Sequence, residues 1–130
     1  MALGTFLVES HSANVLFATR ATHSFVTASW VETHNIPVAS MYPPMRVRSI
    51  GGRTQTDRFC PSARVEIRGI EFPADLVVMG TRDVDIDAIL GMNWLTKYQA
   101  GLSCDKRTVR LVSLSGEEVL VELVLSGPRK

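Results

Sequence analysis

The chain has 130 residues, 45% of them hydrophobic and 21% charged, which suits one packed domain and excludes a disordered tail. A formal net charge of +1 gives no bulk electrostatic reason to expect a nucleic acid or an anionic membrane as partner. No apolar run approaches the roughly 18 residues needed to cross a bilayer. Met1 to Phe6 lacks a basic leader and Glu9 interrupts the apolar stretch, so no signal peptide is expected. The expectation is a soluble, cytoplasmic domain over residues 1–126, with 127–130 a disordered tail. Cys60 and Cys104 fit no metal-ligand spacing and read as free, buried thiols of a reducing compartment, with nothing in the spacing arguing for a disulfide. Neither a metal nor a cofactor is expected.

Short β-patterned runs separated by turn residues make up most of the chain. Thr5 to Glu9 and Ala13 to Phe17 flank Ser10-His11-Ser12 as an N-terminal hairpin. Phe25, Ala28 and either Ser29 or Val31 recur at helical spacing, so Thr22 to His34 reads as a helix capped by Thr22 or Ser24 and stopped by Asn35 and Pro37. Met45 to Ile50 and Thr54 to Cys60 alternate about Gly51-Gly52, a hairpin with a glycine tip. Ala63 to Ile67 and Phe72 to Met79 read as a second hairpin around Arg68-Gly69. Ala88-Ile89-Leu90 is a short buried strand, and Gly91 to Tyr98 a short helix whose Trp94 and Leu95 belong to the core, as does Trp30. Thr108 to Val112 and Glu118 to Val124 close the chain as strands around Ser115-Gly116. The predicted architecture is all-β and barrel-like, with one or two short helices.

Other chemistries are weakly supported. His23 and Ser24 are adjacent and lack an oxyanion-hole motif, so they do not read as a hydrolase pair. Asp83, Asp85 and Asp87 alternate, but no glycine or Glu completes a calcium loop; a solvated turn with a structural, hydrogen-bonding Asp87 is the better reading. Arg46, Arg48, Arg53, Arg58, Arg64 and Arg68 share one stretch with only Asp57 and Glu66, which reads as the solvated face of a hairpin in preference to a site for an acidic partner.

Three segments carry a family resemblance by their order. An apolar strand enters a small-residue loop, Val15 to Ala21, followed by Thr22-His23-Ser24-Phe25; a glycine-tipped hairpin follows at Ile50-Gly51-Gly52; and Asp87-Ala88-Ile89-Leu90-Gly91-Met92-Asn93-Trp94-Leu95 comes last. Over residues 3 to 114 this resembles the retropepsin-like aspartic protease domain of plant-type gypsy LTR retrotransposons, or a host gene derived from one. The resemblance implies a closed β-barrel, a flap formed by the hairpin around Ile50, Gly51 and Gly52, and an active-site loop backed by Ile89, Leu90 and Gly91. It also implies a homodimer in which each chain supplies half of a peptide cleft, with Ala2 to Val8 and Glu118 to Leu125 as candidate interface strands. A peptide or protein ligand is the implied partner; nucleic acid and membrane are not.

In that family the loop reads Asp-Thr/Ser-Gly-Ala, whereas this chain has Ala18-Thr19-Arg20-Ala21. An aspartic protease activates water between two carboxylates that share a proton, and alanine can neither give nor take one. None of Asp57, Asp75, Asp83, Asp85, Asp87 and Asp105 is followed by Thr/Ser-Gly. Arg20 stands where glycine lets backbones approach closely, and it would bring a cation to the cleft floor. Thr19 is retained; in the family its hydroxyl bonds across the dimer. The resemblance thus implies an inactive, dimeric, peptide-binding module with cleft residues Thr19, Arg20, Ile50, Gly51 and Gly52. The alternative is a retrotransposon endopeptidase for polyprotein processing, disabled by an engineered change at Ala18; the second change at Arg20 argues against it.

Overall fold

The computed structural model describes residues 2–49, 52–80, 85–103 and 105–125. The chain opens with β1 (Ala2–Val8) and β2 (His11–Phe17), an antiparallel hairpin whose two-residue turn places Glu9 and Ser10 at φ 50° and 68°. Positive φ at both central residues gives the turn a twist that matches the strands. β3 (Phe25–Thr27) leads directly into α1 (Ala28–His34). The long β4 (Ala39–Ser49) and β5 (Gly52–Ala63) pair antiparallel, β6 (Val65–Ile67) and β7 (Ile70–Glu71) form a small hairpin, and β8 (Ala74–Met79) returns beside β5. β9 (Ala88–Leu90) precedes α2 (Met92–Lys97), and β10 (Gly101–Ser103), β11 (Thr108–Val112), β12 (Glu118–Glu122) and β13 (Val124–Leu125) complete the chain.

Among the described residues, ten strands join in the order β4-β5-β8-β3-β9-β2-β1-β6-β7, with β13 against β1, and β10-β11-β12 form a separate sheet. The closed barrel expected from the sequence is therefore corrected: among the described residues, no ladder joins β4 to β7. β7 is only two residues long. β4 carries Pro43 and Pro44, which lack the N–H a further ladder would need. Between Ser40–Arg58 and Met45–Thr56 the register shifts, so residues 41–44 bulge opposite Asp57.

Two other expectations are corrected. The predicted helix from Thr22 starts only at Ala28, because Phe25, Val26 and Thr27 pair with Val77, Val78 and Met79 of β8. Thr27 is the cap, its hydroxyl accepting from the Trp30 N–H at 3.2 Å, and Asn35 at φ 55° ends the helix. The hairpin around Arg68-Gly69 joins β6 to β7, and not to β8, whose partners in the sheet are β5 and β3. The tip at Ile50 and Gly51, Asp83, Cys104 and the tail 127–130 lie outside the described residues.

The central strands bury both faces. Val15 and Phe17 of β2, Val26 of β3, Leu76 and Val78 of β8, and Ala88 and Leu90 of β9 face the main core, with Trp30, Phe72, Trp94, Leu95 and Tyr98. Alternate residues Leu16, Phe25, Val77, Met79 and Ile89 face the other way and form a second cluster with Ile86. This is the strand period of two, and it explains why these strands read as continuous apolar runs. The main core locks through aromatic contacts: Trp94 lies 5.1 Å from Tyr98 and 6.0 Å from Phe72, and its indole N–H donates to the Phe72 carbonyl at 3.0 Å.

Candidate functional site

β9 lies between β2 and β3, parallel to the first and antiparallel to the second, although more than 60 residues separate it from both. Val15, Leu16 and Phe17 stand opposite Ala88, Ile89 and Leu90. The Ala18 N–H donates to the Leu90 carbonyl at 3.0 Å, carrying the ladder one step beyond the strand. The chain then turns: the Ala21 N–H returns to the Ala18 carbonyl at 3.2 Å, leaving Thr19 and Arg20 at the centre of an exposed β-turn.

Gly91 fixes this loop from behind. A Cβ there would stand 2.2 Å from the His23 carbonyl oxygen and 2.6 Å from that of Ala21. Only glycine permits this close approach; its backbone is extended, so its role is steric and not conformational. The start of α2 completes the attachment, with the Met92 N–H donating to the Ala21 carbonyl at 2.7 Å and the Asn93 N–H to that of Thr22 at 3.3 Å. Ser24, 1% exposed, accepts from the Gly91 N–H at 3.0 Å and donates to Asn93 Oδ1 at 2.8 Å. The Ser24 hydroxyl is thus committed to holding the loop against α2. His23 bonds the Thr22 hydroxyl through Nδ1 at 3.0 Å, so these two neighbours are engaged separately.

On the opposite side, half-buried Ala18 and Ala21 pack on the second apolar cluster, which Leu3, Met41 and Met45 also cover. The turn therefore sits at the edge of an apolar floor formed from β1, β2, β3, β4, β8 and β9. Sequence reasoning did not place Leu3, Met41 or Met45 here, nor Ser24 and Asn93 as loop fasteners. The signal for Ser24 was a small polar residue directly before the apolar Phe25-Val26; the register shift in β4, between Ser40 and Met45, left no signal.

The structure brings Ala18, Thr19, Arg20, Ala21, Ile89, Leu90 and Gly91 together. Ile50 and Gly51 are outside the described residues, and Gly52 opens β5 opposite Ser49. Asp87 is held by the N-terminal hairpin, its Oδ2 accepting from the Asn14 N–H at 2.8 Å, while its backbone carbonyl accepts from Thr27 at 2.9 Å. The nearest sequence neighbours of the turn supply no carboxylate: Ser10 to Val31 contains neither Asp nor Glu. Burial pushes the Cys60 thiol up, with Glu9 adding to the effect and Arg58 opposing it; burial and then Asp75 raise the Tyr98 phenol. Neither group lies in the loop. Among the described residues, no group of three His, Cys, Asp or Glu side chains could hold a metal ion, and no helix is long and apolar enough to cross a membrane.

The structure is similar to the retroviral protease-like domain of Ddi1 from Leishmania major, with a TM-score of 0.68 and 16% sequence identity over 96% of this chain and 94% of that one. At that identity the likeness speaks for the fold. No curated protein matches the sequence. The family model described as retroviral aspartyl protease matches residues 1–117, nine-tenths of the chain. On that match, and with a retropepsin-like fold around the turn at residues 18–21, the chain belongs to the retroviral aspartyl protease family.

Proposed function

We propose that this chain is a catalytically inactive, retrotransposon-derived retropepsin-like domain that acts as a homodimeric module binding peptide or protein ligands. The observation carrying this reading is the residue at the head of the loop. Ala18 continues the β2–β9 ladder, and the resemblance of the loop to the family's Asp-Thr/Ser-Gly-Ala pattern supports reading it as the replacement of aspartate. A dyad of carboxylates shares one proton to activate water; in a two-fold dimer of this chain both members would be methyl groups. General acid–base assistance is worth about 10²–10⁴-fold, so losing both groups removes useful turnover. The scaffold around the loop supports retention of the cleft: Gly91, Ser24 and Asn93, with main-chain bonds at residue 18, hold its shape without a carboxylate side chain there. The hairpin β4–β5 would serve as the flap, and the β1–β13 pairing would extend across the dimer.

The test compares peptide cleavage by the chain as it stands with the double variant Ala18→Asp, Arg20→Gly. Cleavage by the variant alone, sensitive to pepstatin, is the expected result. Pepstatin-sensitive cleavage by the unaltered chain would sink the proposal.

A further inference from the structure

The turn inverts the electrostatics of the site. An aspartic dyad would make the loop anionic, whereas here the loop holds a cation and free donors. We propose that the Ala18–Ala21 turn is a receptor for the C-terminal carboxylate of a peptide whose last residue is apolar. This inference rests on the peptide-binding reading above and names the ligand chemistry for the same cleft.

Three observations carry it. First, among the described residues the Ala18 and Ala21 N–H groups of the turn have protein acceptors, whereas the N–H groups of Thr19 and Arg20 and the Thr19 hydroxyl have none. Both residues are exposed. Second, Arg20 forms no ion pair among the described residues, where Arg64 pairs with Glu9 and Arg110 with Glu118. Third, the half-buried Ala18 and Ala21 of the turn pack on the same apolar cluster as the partly buried Leu3, Met41 and Met45. Consecutive backbone N–H groups with a guanidinium form an anion-binding nest, and capture of a C-terminal carboxylate in such a nest is a recurrent recognition mode. Methionine side chains adapt to irregular apolar ligands.

The adjacency of donors and apolar floor selects the terminal carboxylate over an internal acid. A terminal Leu or Phe carries its carboxylate and its apolar group on one carbon, so both reach the turn and the floor together. In an extended peptide an internal Asp or Glu points to the face opposite its immediate neighbours.

The experiment is a ¹⁵N-resolved NMR titration of the whole chain with three probes: acetyl-Leu-Phe with a free carboxylate, the same peptide as its C-terminal amide, and acetyl-Asp-Leu-Phe amide. The free acid is expected to shift the Thr19 and Arg20 amides and to bind about tenfold or more tightly than either amide, because charge-assisted bonds are the strong ones. Arg20→Gln should remove that advantage of acid over amide while keeping the remaining spectrum; Arg20→Lys should recover part of it. Equal binding of acid and amide overturns the carboxylate inference and leaves the peptide-binding reading standing. Equal binding of the internal acid overturns the choice of a chain terminus, as shifts confined to other residues overturn the choice of site. No binding by any probe at millimolar concentration overturns both the inference and the reading beneath it.

Discussion

Replacing Gly91 with alanine tests whether the loop is held from behind by contact. The added Cβ would sit 2.2 Å from one backbone carbonyl oxygen and 2.6 Å from another, atoms that cannot swing aside as a side-chain end could. Relief requires moving α2 away from the loop. That movement strains the bonds Met92 N–H to Ala21, Asn93 N–H to Thr22 and Gly91 N–H to Ser24. Overpacking in a filled interior costs about 1–3 kcal/mol, and weakening the three bonds, each worth about 0.5–1.5 kcal/mol when intact, adds about 2 kcal/mol together. A total of about 3–5 kcal/mol is a large part of the roughly 5–15 kcal/mol that stabilises an ordinary domain. At about 4 °C per kcal/mol for a chain of this size, Tm should fall by roughly 12–20 °C. Gly101→Ala is the control, since a Cβ there meets nothing within 4 Å; it should stay within about 0.5 kcal/mol of the parent. Thermal and urea unfolding followed by circular dichroism read both. A Gly91→Ala protein within about 1 kcal/mol of the parent would show that the loop and α2 separate freely, and the argument would be wrong.

Two further outcomes are expected. Ser24→Ala leaves the buried Gly91 N–H without its acceptor and should cost about 2 kcal/mol in urea unfolding; a neutral result would mean another group replaces the hydroxyl. Cys60 and Tyr98 have raised folded-state pKa values, so the unfolded chain loses those protons first as pH rises. Their contribution to stability is complete below the unfolded-state values and is lost at alkaline pH. Tm should therefore hold near neutrality and fall above about pH 9, less steeply in Cys60→Ala; equal slopes in both proteins would remove Cys60 as a cause.

What could be read in advance was local. Ala88-Ile89-Leu90 followed by glycine marked β9 and the start of α2, because an apolar triplet with a break after it has few alternatives. The onset of α1 was misread because Phe25 and Ala28 satisfy helical spacing, while the partner that makes Phe25–Thr27 a strand is β8, some 50 residues later. The pairing of β8 with β5 and the separation of β10–β12 into their own sheet are likewise matters of tertiary choice. The same division holds at the site. The turn at residues 18–21 and its backing strand are contiguous segments with their own patterns, but the floor gathers Leu3 from β1 and Met41 and Met45 from β4, a strand whose register shifts between Ser40 and Met45.

The turn itself is anchored through main-chain atoms: the Ala18 amide, the Ala18 and Ala21 carbonyls, and the carbonyl of His23 against Gly91. The Thr19 and Arg20 side chains project into solvent and bear no weight of the architecture. Selection for a stable domain is therefore blind to residues 19 and 20 and nearly so to the small residue at 18. Drift at these positions is restrained only by what the loop does to other molecules. In a lineage of such domains, the residues at 18–20 can turn over while Ser24, Gly91 and Asn93 stand still, so architecture and chemistry are inherited on separate clocks.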